Sequence, residues 1–251
     1  MYSVIPIDGL PEFSAGDDLP AILAEHLRRG QPGLCHGDIL VVTQKVVSKA
    51  EGQARDLALV DPGERARAVA VVTGKDAALV ELVLGESSAI VRQAPNVLIT
   101  RHRLGHVMAN AGIDASNVGS GGGTRVLLLP EDPDASAARI AEACARVCAV
   151  QPAVVISDSF GRPWRSGTVN VALGIAGLPA VIDQRGEPDR DGRIMQVTQI
   201  AFADSVAAAA GLAMGEGAEG LPACIVRGLV WQGEPQSSRA ALRPEAEDLF
   251  R

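Results

Sequence analysis

Residues 154–165 read VVISDSFGRPWR and place an aspartate directly after a run of apolar residues. The run, residues 153–156, predicts a buried strand that ends at Asp158 and its serine neighbours. The loop that follows carries Arg162 and Arg165. Because Mg²⁺ prefers oxygen ligands and often shares carboxylates with phosphate oxygens, an Asp/Ser pair beside two arginines predicts a site for metal and phosphate. The alternative is that Asp158 only caps a turn, which is the commoner role of a loop aspartate.

A second segment, residues 110–118 (NAGIDASNV), has the same character. It sets Asp114 among small residues, with hydroxyl and amide side chains close by in the chain. Turn capping is the alternative here too. From either segment alone, turn capping is the better interpretation, so the case for a metal site depends on the rest of the chain.

The composition of the 251-residue chain limits the class of protein. Hydrophobic residues make up 47%, enough for a sizeable core, and aromatic residues only 3%, so the core must consist of Ala, Val, Leu and Ile. The net charge of −7 argues against general binding to nucleic acids or anionic membranes, but allows a local basic pocket for a phosphorylated ligand. The sequence shows no secretory signal, no apolar run of transmembrane length and no CxxC spacing. We therefore expect a soluble cytoplasmic protein with reduced thiols.

Apolar periodicity divides the chain into strands and helices. Helices are predicted over residues 19–29, 62–73, 76–84, 135–148 and 204–214, the fourth capped by Asp134. Strands are predicted over residues 2–8, 39–43, 97–101, 105–109, 125–129, 153–156, 170–175, 180–182, 195–203 and 223–226. Residues 45–49 (KVVSK) are expected to continue the second strand, whose alternation would put Lys45 and Lys49 on one face. The predicted fold class is α/β (α+β), with mixed sheets and flanking helices. We expect a single domain over residues 1–251, a candidate subdomain break near residues 119–123, and a peripheral tail over residues 234–251.

Several stretches together resemble the coenzyme F420-0:L-glutamate ligase family, the CofE-type γ-glutamyl ligases. They are GLPEF (residues 9–13), GDILVVTQKVVSKAEG (37–52), NAGIDASNV (110–118), LLPEDPDASA (128–137), SDSFGRPWR (157–165) and MGE (214–216). They extend over nearly the whole chain, and their order and unusual composition make the match specific. The chain is similar to the stand-alone form of the family, without the C-terminal nitroreductase-like domain of some bacterial relatives.

The resemblance implies a GTP-dependent amide ligase. Such an enzyme joins the amine of L-glutamate to a carboxylate on the phospholactyl tail of coenzyme F420-0, and then extends the tail by γ-linked glutamates. Members of the family need Mg²⁺ or Mn²⁺, with a pair of ions expected at each site, and K⁺ is often stimulatory. The family's unusual α/β fold forms an intertwined dimer, so the resemblance implies a homodimer, with no nucleic-acid or membrane partner.

The resemblance also implies roles for individual residues. Asp114, Asp158 and Ser159 match the family's metal ligands, and the two aspartates thereby act in catalysis. Glu216 is a weaker candidate for a second metal, and its alternative is a solvated turn glutamate. Nucleotide contacts are implied for Leu10, Pro11, Glu12, Phe13, Gln44, Lys49 and Asn117, and for the backbone of residues 214–221, which includes Met214, Gly215, Gly217 and Leu221.

General chemistry is compatible with these roles. Lys49 is a reasonable counter-charge for a phosphate, with an ordinary solvated lysine as its alternative. Backbone N–H groups of the glycine-rich residues 215–220 could hold phosphate as an anion nest. Arg162 and Arg165 are catalytic candidates that would hold the substrate phosphodiester or carboxylate, since guanidinium groups suit both. The chain has no GxxxxGK[ST] motif, so it is not a P-loop enzyme.

Two other functions compete with the ligase hypothesis. A metal-dependent phosphohydrolase would use Asp114 and Asp158 to activate water, and it would turn over GTP without glutamate. A non-catalytic nucleotide-binding regulator would bind GTP without turnover. The spread of family motifs over the chain favours the ligase over both.

Overall fold

The computed structural model describes residues 1–30, 32–115 and 124–248. In chain order its strands and helices are β1 (Ser3–Pro6), α1 (Leu19–Arg29), β2 (Ile39–Thr43), α2 (Gln44–Ala50), β3 (Ala54–Asp56), α3 (Glu64–Thr73), α4 (Ala77–Gly85), β4 (Ser87–Ala94), β5 (Val97–His102), β6 (Val107–Ala109), β7 (Arg125–Leu127), α5 (Pro133–Cys148), β8 (Ala153–Arg162), β9 (Arg165–Ala176), β10 (Ile182–Asp183), β11 (Gln199–Ile200), α6 (Phe202–Met214) and β12 (Ala223–Arg227). The predicted α+β class with mixed sheets is confirmed.

The central sheet has the strand order β1-β12-β2-β8-β9. Strands β2 and β8 are parallel, whereas β12 is antiparallel to both of its neighbours, β1 and β2. As a result β1, β2 and β8 all run in one direction, and their carboxyl ends lie at the same edge of the sheet. The start of β12 lies at that edge too, because Ala223 pairs with Val42 near the end of β2.

Helices cover both faces of the central sheet. On one face α1 and α5 pack against alternate strand residues such as Leu40 and Ile156. On the other face α6 packs against the residues between them, such as Val41 and Val155. A strand that is buried on both faces reads as a continuous apolar run, which is why residues 39–43 and 153–156 lack polar alternation.

The chain between β3 and β7 forms a second packing unit. Helices α3 and α4 share an apolar core with the antiparallel sheet β4-β5-β6, including Val80, Val83 and Leu98. The chain leaves this unit through a 3-10 turn, Asn110–Gly112, in which Ala111 has a left-handed conformation (φ 52°). The turn leads to Asp114, which pairs with Leu127 of β7. This unit therefore positions one of the two predicted aspartates.

The predicted helices are confirmed, with small shifts at their ends. The cap of α5 is an exception: its first N–H groups are capped by Asp132, which accepts a hydrogen bond from the Ala135 N–H (3.0 Å). The prediction of Asp134 as the cap is wrong. Asp134 instead accepts a hydrogen bond from the Ile175 N–H (2.7 Å) and thereby joins α5 to β9.

Four strand predictions are wrong. Of residues 180–182, only Ile182 belongs to a strand, β10. Residues 45–49 belong to α2, and only Gln199–Ile200 of residues 195–203 is a strand. The strand after residue 153 does not end at Ser159 but continues to Arg162, where it turns into β9 as a long hairpin. Short segments rich in β-branched residues do not distinguish a strand from a helix, and a polar, exposed hairpin arm has no apolar pattern to reveal it.

The tail after Gly233 contacts the body of the protein through side-chain hydrogen bonds. The Gln236 side chain accepts hydrogen bonds from the N–H groups of Ala180 and Val181, both 3.0 Å. The Ser237 hydroxyl donates to Asp134 (2.7 Å). The candidate break near residues 119–123 lies outside the described residues. Among the described helices, none combines the length and the apolar character needed to span a membrane.

Candidate active site

A cleft of about 590 Å³ opens at the edge of the central sheet where β1, β2 and β8 end. Its walls come from the chain that follows β1 and β2, from Asp114, from β8 and β9, and from the loop between α6 and β12. Ligand sites commonly lie at the carboxyl ends of parallel strands. The strand directions therefore explain why segments far apart in the sequence meet in one cleft.

Most of the predicted site residues line this cleft. They are Leu10, Pro11, Glu12, Phe13, Gln44, Lys49, Asp114, Asp158, Ser159, Met214, Gly215, Glu216, Gly217 and Leu221. Asn117 lies outside the described residues. The cleft also contains Lys45, Asn170 and Glu219, to which the sequence analysis assigned no role.

Asp158 is the central acidic group of the cleft. It follows Ser157, which pairs with the last residue of β2, Thr43, so β8 extends past its neighbour at this point. Burial above all, together with the charges of Asp114 and Glu216, raises the pKa of Asp158 to about 7. A hydrogen bond from the backbone N–H of Ser159 and the charge of Lys45 act in the opposite direction. Carboxyl groups that disfavour one another's ionisation in this way are suited to sharing a cation.

Lys45 forms an ion pair with Asp114, with Nζ 2.6 Å from Oδ2. The backbone of Asp114 is held by two hydrogen bonds with Leu127, of 2.8 and 3.0 Å. Lys45 and Lys49 are four residues apart on α2, so they face the same side of that helix. Strand alternation had predicted a shared face. The shared face is present, but the helix is its cause.

Lys49 is largely buried, since its side chain is only 17% exposed. Its Nζ lies 3.7 Å from Oε2 of Glu12, whose side chain is 97% exposed. The nearby Gln44 is also buried, and its Oε1 accepts a hydrogen bond from the Ser48 hydroxyl (2.9 Å). Lys49 therefore differs from an ordinary solvated lysine, because its side chain is mostly buried in the cleft lining and its charged group lies near Glu12.

The glycine-rich loop after α6 already binds an anionic group. The Gly217 N–H donates a hydrogen bond to Oε2 of Glu219 (2.8 Å). Gly215 has a φ of 76°, and a Cβ at that position would lie 2.3 Å from Cδ of Glu219. The left-handed φ favours glycine there, and the absence of a side chain lets the loop close around the Glu219 carboxylate. The Gly217 N–H would equally suit a phosphate oxygen.

Arg162 and Arg165 lie at the end of the β8–β9 hairpin and do not line the cleft. They pair with each other across the hairpin, and Arg162 donates a hydrogen bond to the Ser166 carbonyl (3.2 Å). The turn between them contains Trp164, which has a φ of 65° and is 87% exposed. The structure thus separates the two arginines from the acidic residues that precede them in the sequence.

The cleft offers oxygen donors that could hold a divalent cation. Within the described ranges, no three His, Cys, Asp or Glu side chains form a ready-made metal cage. Mg²⁺, however, usually binds through one or two carboxylates and completes its shell with phosphate oxygens and water. The buried Ser157 hydroxyl has no hydrogen-bond partner among the described residues, and it lies beside Asp158. Oxygen donors with crowded negative charge suit Mg²⁺ or Mn²⁺.

Comparison with known proteins gives the family. The model of the family described as F420-0:Gamma-glutamyl ligase matches residues 9–228. The chain is 44% identical to the "Coenzyme F420:L-glutamate ligase" of Methanothermobacter thermautotrophicus, over 99% of this chain and 98% of that protein. Proteins of the same name from Halorubrum lacusprofundi and Methanocaldococcus jannaschii are 47% and 36% identical, over 88% and 96% of this chain and 85% and 94% of their own lengths. The resemblance noted from the motifs is thereby confirmed, and this chain belongs to the F420-0:gamma-glutamyl ligase family.

Proposed function

We propose that this protein is a GTP-dependent ligase that adds L-glutamate to the phospholactyl tail of coenzyme F420-0 and extends the tail by γ-linked glutamates. The observation that carries the proposal is the cleft itself. In a chain of this family, it brings acidic residues, two lysines and an anion-binding loop to one edge of the sheet. These are the groups that phosphoryl transfer requires.

The chemistry that we propose has two steps. First, a carboxylate oxygen of the substrate attacks the γ-phosphorus of GTP, the bond to the bridging oxygen breaks, and GDP leaves with an acyl phosphate formed. The amine of glutamate then attacks the acyl carbon, phosphate leaves, and the nitrogen loses a proton to give the amide. The first step is needed because a free carboxylate would have to expel an oxide ion. Most of the catalysis then lies in positioning and in neutralising phosphate charge.

In this proposal some residues of the cleft bind the cations and others bind the phosphates. Asp114, Asp158 and Ser159 would hold one Mg²⁺ or Mn²⁺, and Glu216 a second. When bound, these ions would neutralise charge on the phosphates. Lys49 and the loop of residues 215–220 would bind phosphate oxygens. Lys45 is a further phosphate candidate, because it lines the same cleft beside Asp114.

Further contacts to the nucleotide would come from Leu10, Pro11, Glu12, Phe13, Gln44, Asn117, Met214 and Leu221, as the family resemblance implies. Arg162 and Arg165 remain proposed contacts for the phosphodiester or carboxylate of the deazaflavin substrate, because their hairpin continues the strand that carries Asp158. We further propose that the enzyme is a cytoplasmic homodimer stimulated by K⁺.

The reaction itself is the first prediction. The protein, mixed with GTP, Mn²⁺, L-glutamate and coenzyme F420-0, should yield products heavier by one glutamate residue per turnover, with one GDP and one phosphate released each time. Mass spectrometry of the deazaflavin and chromatography of the nucleotides measure both. Omission of glutamate is the control. GTP hydrolysis that continues without glutamate would instead support the phosphohydrolase, and GTP binding without any turnover would support the regulator.

The second prediction concerns Lys49. Lys49→Met keeps most of the apolar stem and removes the charge, so the Kd for GTP should rise about tenfold or more, since a charge-assisted hydrogen bond contributes about 1.5–3 kcal/mol. Titration of GTP by calorimetry measures the change. Lys75→Met is the matched control, because Lys75 lies outside the cleft lining, whereas Lys45 lines it and is no neutral reference. Equal GTP affinity in the Lys49 variant and the parent would exclude the phosphate contact.

A further inference from the structure

Asn170 of β9 connects the central sheet to the loop after α6. Its side chain is buried, and its Nδ2 donates a hydrogen bond of 2.6 Å to Oε1 of Glu216. Glu216 itself lines the cleft, as do Asp114 and Asp158. The two residues are 46 positions apart in the chain. The glutamate is therefore oriented by a group from a rigid strand rather than by its own loop.

Gly211 of α6 makes room for this contact. A Cβ at position 211 would lie 2.2 Å from Nδ2 of Asn170 and 2.9 Å from its Cγ, closer than real Cβ atoms come to other heavy atoms. The neighbouring positions of α6 are mostly alanine, which is the best helix former, and glycine is among the worst. A glycine in this helix has a clear use here, because its missing side chain is the space that the Asn170 amide occupies.

We infer that Asn170 is a positioning residue, which orients Glu216 as a cation ligand, and that Gly211 provides the clearance for it. An amide is suited to this task because it is neutral. It satisfies one carboxylate oxygen without cancelling the charge, and so leaves the other oxygen able to bind a cation. A lysine in its place would compete with the cation, and an aspartate would repel the glutamate. The inference rests on the proposed function, in which Glu216 binds the second divalent cation.

Removal of a group that orients a metal ligand typically lowers metal affinity or activity by roughly 10–100-fold. Asn170→Ala should therefore weaken Mn²⁺ binding about tenfold or more. Gly211→Ala should do the same with Asn170 still present, because the new methyl group displaces the amide. The affinity for GTP without metal, measured in EDTA, should stay the same, which a general loss of structure would not allow. Gly85→Ala is the matched control, since nothing lies within 4 Å of a Cβ at that helical position.

The test measures free Mn²⁺ by electron paramagnetic resonance in the presence of GDP, which permits binding without turnover. Thermal unfolding first establishes that each variant is folded. Asn170→Ala and Glu216→Gln should each weaken Mn²⁺ binding, and the double variant should bind no more weakly than Glu216→Gln alone, because the amide acts only through the carboxylate. Parental Mn²⁺ affinity in folded Asn170→Ala, or an additive loss in the double variant, overturns the inference. Parental Mn²⁺ affinity in Glu216→Gln overturns the inference as well. If that variant still adds glutamate, the proposed ligase function stands although the inference about Asn170 fails.

Discussion

Replacement of Asp158 by asparagine is expected to lower ligase turnover by on the order of 100-fold or more while the protein stays folded. The substitution keeps the size of the side chain and removes its charge. In addition to burial, the negative charges of Asp114 and Glu216 both act on Asp158 and raise its pKa. Without it, the cation that neutralises the phosphates would lose a ligand, and phosphoryl transfer depends mainly on that neutralisation. Steady-state turnover with saturating GTP and glutamate measures the loss.

The stability of the Asp158 variant distinguishes a catalytic role from a structural one. In EDTA its free energy of unfolding should equal or exceed that of the parent, because the substitution removes a carboxylate that its neighbours repel. Added Mn²⁺ with GDP should raise the Tm of the parent more than that of the variant, since ligands that bind only the folded state stabilise it. Asp191→Asn, an exposed change outside the cleft, is the control for turnover. A folded Asp158→Asn protein with near-normal turnover would exclude the proposed role.

Arg227→Met is expected to lower the free energy of unfolding by about 3 kcal/mol, the lower end of the range for breaking a buried ion pair. Arg227 donates hydrogen bonds to both oxygens of Asp38, at 2.8 and 2.6 Å, and another to the Gly33 carbonyl at 2.7 Å. Asp38 is 1% exposed, so its carboxylate would be left buried without its partner. The arginine side chain is 30% exposed, which lets water reach the vacated position and keeps the loss from being larger. Urea denaturation measures the change.

A double-mutant cycle supplies the control for this prediction. Asp38→Asn combined with Arg227→Met removes the unpaired charge, so the double variant should be more stable than Arg227→Met alone. Both residues lie at the edge of the central sheet opposite the cleft, since Asp38 precedes β2 and Arg227 ends β12. Turnover of the folded Arg227 variant should therefore match that of the parent. A loss below about 1 kcal/mol would show that the pair behaves as an exposed one.

Much of the architecture could be predicted because it depends on local pattern. The helices at 19–29 and 204–214 carry their own periodicity, and residues 39–43 and 153–156 are apolar runs of the length and composition typical of a strand covered on both faces. The predictions failed where local pattern was ambiguous. KVVSK has the β-branched residues of a strand but lies in α2, and the polar arm after Ser159 continues β8 without any apolar signal.

The family, the α+β class and most of the residues that line the cleft could be predicted from the sequence, because motifs and apolar periodicity are properties of short segments. Only the tertiary structure showed that Lys45 pairs with Asp114, that Arg162 lies at the end of a hairpin, and that Asn170 reaches Glu216. Those contacts join residues far apart in the chain, or depend on whether a segment is helix or strand. They follow from strand directions and close packing, since β1, β2 and β8 all end at one edge and Gly211 leaves space for one amide.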